Sequence, residues 1–75
     1  MKKSEIMEKL AELEHDQWVC WSKALSEDEI LSLERLTRWK ELWIPYRDLP
    51  EITKNQDRMW ARKAWEIMRK IQVKK

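Results

Sequence analysis

An all-α fold of three helices, the last preceded by an extended proline-containing connector, is predicted by three features of this sequence. Apolar residues recur at three- and four-residue steps, and no stretch alternates as a strand would. Helix-capping signals stand ahead of each periodic stretch. Proline occurs only at Pro45 and Pro50, and glycine not at all. Seventy-five residues suit one domain, 1–75 with a core over about 4–72, since domains commonly run to about 100–150 residues.

In the first helix Ser4 is the candidate N-cap, with Glu5 and Glu8 in the first turn, where carboxylates meet the positive end of the helix dipole. Ile6, Leu10, Leu13, Cys20, Trp21 and Ala24 form one apolar stripe. Met7, Ala11, Trp18, Trp21 and Leu25 form a second beside it. Together they predict a helix over 4–25 that touches two neighbours. Ser26-Glu27-Asp28-Glu29 is a Ser-x-x-Glu capping box for the second helix, and Ser32 is an alternative cap. Residues 26–43 therefore read either as one helix or as a short turn and a longer one, with Ile30, Leu33, Leu36, Leu42 and Trp43 inward. Pro45 disfavours α geometry at Ile44, so residues 44–47 are expected to be extended. Asp48-Leu49-Pro50-Glu51 combines an Asp cap, a first-turn proline and a Glu three residues after the cap, which predicts a third helix over 49–72. Its expected inward residues are Trp60, Ala61, Ala64, Trp65, Met68 and Ile71. Trp60 and Trp65 are five apart and cannot face one spot, so one belongs to the core and the other to a pocket or interface.

Composition closes off many chemistries. Without glycine, phosphate-cradling loops, dinucleotide-binding turns and nucleophile elbows have no residue for a close backbone approach or a positive φ. One Cys and one His cannot make a thiolate–imidazole zinc site, and Cys20 has no intrachain partner. No calcium loop is present, and no nucleophile–base pair can be assembled. No metal, cofactor or enzymatic activity is expected. The chain is 43% hydrophobic and 40% charged, and no apolar run approaches the ~20 residues of a membrane span. The start Met1-Lys2-Lys3-Ser4-Glu5 leads into no signal-peptide core, so a cytoplasmic protein without membrane contact is expected.

Two features point toward binding. Six tryptophans are a large surplus for so short a chain, and tryptophan favours cores, interfaces and stacking sites. Charge is also uneven. Residues 1–37 carry five basic and nine acidic side chains, a net of −4, and residues 38–75 carry eleven and five, a net of +6. A basic half attracts anionic ligands, although the terminal pair Lys74-Lys75 is expected to be a solvated tail.

Leu10-Ala11-Glu12-Leu13-Glu14-His15-Asp16-Gln17-Trp18 resembles the opening Leu-Ala-Glu-x-x-His-x-x-Trp of the ryanodine-receptor (RyR) repeat domain. Ile44-Pro45-Tyr46-Arg47-Asp48-Leu49-Pro50-Glu51, followed by Lys54 and Asp57-Arg58, resembles that family's second block: Val-Pro-Tyr, Leu-Pro-Glu, a Lys and an Asp-Arg pair. The family's intervening Gly-Trp-x-Tyr-Gly element and His-Pro are replaced here by the charged helical stretch 27–43, with Trp39 and Trp43. This short form is similar to stand-alone versions in bacteria and their phages. The resemblance implies non-enzymatic binding of a nucleotide-derived small molecule, a cyclic nucleotide or an ADP-ribose-type messenger. It also implies, for a lone domain, sequestration of a host antiviral signal by a phage.

The candidate ligand-binding residues are His15, Trp18, Trp43, Tyr46, Arg47, Lys54, Asp57, Arg58 and Arg62. Trp21 sits on the main apolar stripe and is expected in the core, while Trp18 is open between core and ligand. His15 suits a phosphate when protonated. Tyr46 either stacks on a base or plugs the gap between helices. Lys54, Arg58 and Arg62 form one row near the start of the third helix and suit phosphate contacts, with Asp57 orienting a cation or accepting from a ribose hydroxyl. Basic and aromatic residues interleave over 59–65, as in some nucleic-acid binders, but a net charge of +2 is mild for that role. A protein-interaction module using exposed tryptophans is the rival reading. Self-association as a dimer or larger oligomer is expected, because six tryptophans are difficult to bury within 75 residues.

Overall fold

The computed structural model describes residues 2–73, with side chains through residue 71, and the Lys74-Lys75 pair lies outside the described residues. It is all-α. Helices α1 (Lys3–Asp28), α2 (Leu33–Leu42) and α3 (Glu51–Val73) are joined by a linker over 29–32 and a connector holding one 3-10 turn, Tyr46–Asp48. Among the described residues there is no strand, no cis peptide and no residue with positive φ. A chain without glycine thus turns every corner in ordinary backbone geometry.

Local chemistry explains the boundaries, including those that differ from expectation. Ser4 lies inside α1, whose N-cap is Lys2 without a side-chain hydrogen bond. The Ser26 capping box does not form. The Ser26 hydroxyl instead donates back to the Lys23 carbonyl at 2.7 Å, so α1 runs on to Asp28. Ser32 is the cap of α2, its oxygen accepting from the Arg35 N–H at 3.1 Å. The connector is extended only in part. Pro45 has φ −58° and ψ 145°, but the next three residues wind into the 3-10 turn. Asp48 belongs to that turn, and α3 opens on the Pro50 carbonyl, which accepts from Thr53 and Lys54.

Packing is dominated by α1 against α3. Ala11 and Ala61 are fully buried, and together with Tyr46 and Leu49 they form the core, flanked by half-buried Met7, Leu10 and Leu42. Two alanines in this position let the long helices approach closely. The radius of gyration is 14.9 Å, against about 11 Å for a compact chain of this length. Much apolar surface is therefore left outside. Ile30, Leu33, Leu13, Trp21, Cys20 and Ile71, all expected inward, are exposed. Ile30 lies in the linker, out of phase with α2. On α1 it is the second stripe, through Met7 and Ala11, that meets α3. Of the two α3 tryptophans, Trp65 is half-buried and Trp60 is half-exposed.

Tyr46 plugs the gap between helices, and a three-residue network fastens it. Its hydroxyl donates to Glu8 at 3.1 Å, and Arg58 clamps the same carboxylate through Nε and Nη2, both at 2.8 Å. Arg58 also donates to Glu51 and Asn55. The Arg58 hydrogen bonds hold Glu8 below the usual carboxylate range. Burial first, then the bond to Glu8, pushes the Tyr46 phenol up to about 12. The signs are opposite. Glu8 contributes stability above its unfolded value, lost as pH falls through the lowered one. Tyr46 contributes below about 10, and this is lost as pH rises toward about 12. Thermal melts followed by circular dichroism should decline on both arms, and Tyr46→Phe should make the alkaline decline shallower. An unchanged alkaline arm in that variant would exclude Tyr46 as its source.

Candidate functional site

A cavity of about 400 Å³ opens where the three helices meet, lined by matching triples. Helix α1 supplies Glu14, His15 and Trp18. Helix α2 supplies Arg38, Trp39 and Leu42, and α3 supplies Gln56, Asp57 and Trp60, with Thr53 one turn earlier. Each triple has the spacing i, i+1, i+4, which places its members on one helix face and ends two of the three on a tryptophan.

The aromatic walls support one another. The His15 ring stacks on Trp18, centroids 6.1 Å apart and planes 26° from parallel. Trp39 meets Trp18 edge-on at 5.8 Å and leans on Trp21 at 5.9 Å. The Lys63 ammonium lies 4.4 Å from the Trp60 ring centroid. A shallower shelf of Glu14, Gln17, Trp18, Trp21 and Trp60 shares three residues with the cavity and continues it outward.

The polar part of the wall is less complete. His15 is buried, and its Nε2 lies 2.6 Å from the Ile44 carbonyl oxygen. Its Nδ1 is 3.9 Å from Asp57 Oδ2, a buried oxygen without a hydrogen-bond partner. Burial raises the Asp57 carboxyl above its ordinary value; His15 opposes this and the nearby charge of Glu14 adds to it. No group of three or more potential metal ligands occurs among the described residues.

Of the nine residues singled out from the sequence, His15, Trp18 and Asp57 line this cavity. The others lie elsewhere. Tyr46 is in the core, and its buried ring faces the Lys54 ammonium at 5.6 Å, so it offers no open stacking face. Arg58 is committed to Glu8, Glu51 and Asn55, and Lys54 also pairs with Glu51 at 3.8 Å. Trp43 donates its indole N–H to Ser22 at 2.9 Å, under Lys23, and borders a separate shallow groove with Cys20 and Pro45. Arg47 and Arg62 are exposed. The expected cationic row is therefore largely spent on internal pairing, because Glu8 on α1 faces it and Glu51 precedes it on α3.

The cation that does line the cavity is Arg38. It was not among the candidates, and neither were Trp39, Gln56 and Trp60. Their signal in the sequence is the repeated spacing 14, 15, 18; 38, 39, 42; 56, 57, 60. No helix among the described residues is long and apolar enough to cross a membrane. The chain matches no family model, no curated protein and no solved structure.

Proposed function

We propose that this chain is a non-enzymatic module that binds a nucleotide-derived small molecule in the cavity between its three helices and withholds it from its receptor. The observation that carries this reading is the convergence of Trp18, Trp39 and Trp60 with one arginine and several free polar groups around about 400 Å³. That volume falls at the lower end of ligand pockets, roughly 300–1,000 Å³, and suits one nucleoside unit. Base–aromatic stacking contributes about 1–3 kcal/mol per base, and Arg38 offers a cation to a phosphate. A second nucleotide unit would extend along the Trp21 shelf. The resemblance of the two blocks 10–18 and 44–58 to the RyR repeat supports the nucleotide class and, for a stand-alone domain, sequestration of an immune messenger by a phage.

Calorimetric titration with cyclic dinucleotides, ADP-ribose derivatives, and adenine and guanine nucleotides tests the proposal. At least one compound is expected to bind at micromolar concentration or tighter, with quenching of tryptophan fluorescence. If none binds more tightly than about millimolar, the proposal fails.

One feature favours a protein partner as a second reading. Leu13, Trp21, Ile52, Ile67 and Ile71 are each more than half exposed, a large apolar outlay for so small a domain. Self-association is the form of this reading we favour, and sedimentation velocity at several concentrations separates it from a monomer. A stoichiometric foreign protein recovered without any small molecule would favour an inhibitor instead.

A further inference from the structure

One open side of the α1–α3 pair is patterned as half of a four-helix bundle, an inference that rests on the self-association reading above and does not depend on nucleotide binding. Lys3 lies against Trp65 and Glu8 against Arg58, so the two helices run antiparallel. One flank of the pair is filled by Tyr46, which bonds to the Glu8 that Arg58 clamps. On the other flank Gln17 of α1 and Trp60 of α3 line a common shelf. Glu8 and Gln17 are nine residues apart, and Arg58 and Trp60 two apart. At about 100° per residue each of those pairs straddles its helix, so the shelf and Tyr46 lie on opposite flanks.

From the shelf an apolar stripe runs along each helix, through Leu13, Leu10 and Ile6 on α1 and through Ala64, Ile67 and Ile71 on α3. Counted from Gln17 and from Trp60, both stripes step by four, three and four residues, the seam spacing of helices that pack at a shallow angle. They therefore match in length, at about 16 Å each. Leu13, Trp60, Ile67 and Ile71 are all more than half exposed, so nothing within the chain covers them.

Charge decides the occupant. Beyond the α1 stripe, on the side away from α3, stand the exposed Glu5, Glu12 and Asp16, with Lys9 among them. Beyond the α3 stripe stand the exposed Lys63 and Lys70, while Glu66 is paired with Arg69. An anionic membrane would be repelled by the first edge. A second copy, turned about a two-fold axis parallel to the helices, sets each α1 on its partner's α3 and each edge against one of opposite charge. We infer that two copies of this chain dimerise through these stripes as an antiparallel four-helix bundle.

Sedimentation velocity of the full chain, from micromolar to hundreds of micromolar, should show the monomer mass rising to twice its value. Ile67→Glu places a charge from each copy in the seam and is expected to weaken the dimer by more than about tenfold. Ile30→Glu, at a fully exposed position in the linker, should leave the equilibrium unchanged. A monomer at every concentration removes both this inference and the self-association reading, whereas a dimer that survives Ile67→Glu overturns the face alone. Lys63→Glu with Lys70→Glu should also weaken the dimer, and adding Glu5→Lys and Glu12→Lys to that chain should restore it, as no merely misfolded variant would. Failure of that restoration overturns the pairing of the edges. A monomer that cosediments with phosphatidylglycerol vesicles would assign the stripes to a membrane surface and overturn the dimer.

Discussion

Tyr46→Ala is expected to remove most of the stability of the domain. Among the described residues Tyr46 is one of four buried apolar residues, 7% exposed, and its ring fills the junction of α1, the 3-10 turn and α3. Truncating a buried large aromatic side chain costs about 3–5 kcal/mol. At roughly 0.05–0.15 kcal/mol per residue, a chain of this size has only about 4–11 kcal/mol in all. The loss also strands the Glu8–Arg58 clamp, whose third member was the phenol. Tyr46→Phe keeps the ring and forfeits one hydrogen bond, a change of about 1 kcal/mol. Denaturant melts of the two variants should therefore differ widely in midpoint. Because Tyr46 is not in the cavity wall, Tyr46→Phe should bind the same nucleotides as the parent chain. Loss of binding with normal stability in that variant would return Tyr46 to the ligand site.

Trp39→Ala is expected to weaken ligand binding about 5- to 150-fold while leaving the α1–α3 pair folded. Helix α2 has no buried residue and little contact with the rest of the chain. Three attachments hold it: Leu42 packed on the core, the Trp39 ring set between Trp18 and Trp21, and the Trp43 indole bonded to Ser22. Removing the Trp39 ring takes away a stacking wall worth about 1–3 kcal/mol per base, which is roughly 5- to 150-fold in affinity. It also loosens the helix that carries Arg38. Hydrogen exchange should show the amides of residues 33–42 losing protection, with those around Ala11 and Ala61 unchanged. Nucleotide binding at parental strength, with α2 still protected, would show that Trp39 neither holds the helix nor faces the ligand.

Much of the fold was legible because helices report themselves locally. The three- and four-residue apolar steps, Pro45 and Pro50, and the choice between Ser26 and Ser32 are matters of neighbouring residues. The structure settled which serine caps α2, moved the start of α1 ahead of Ser4 and wound Tyr46–Asp48 into a 3-10 turn. It chose Ser32 because the Ser26 hydroxyl has a competing acceptor one turn back, at Lys23. The site was legible only in fragments. His15, Trp18 and Asp57 drew attention as residue types, but Arg58 and Tyr46 drew the same attention and proved to be fastened to Glu8, 50 and 38 positions away. No local pattern announces such a partner.

What the order of residues decides here is the set of helices and the face on which each carries its aromatic triple. Those depend on interactions within about four residues, which the chain carries wherever it folds. What the tertiary structure decides is how far each helix is turned and where it crosses the next. Ala11 and Ala61 draw α1 and α3 together on one side, which buries Tyr46 and ties up the basic row. The same rotation leaves Trp21 outside and opens the space between Trp18, Trp39 and Trp60. Rotation is fixed by the sum of all cross-helix contacts, a quantity that no single stretch of this chain contains.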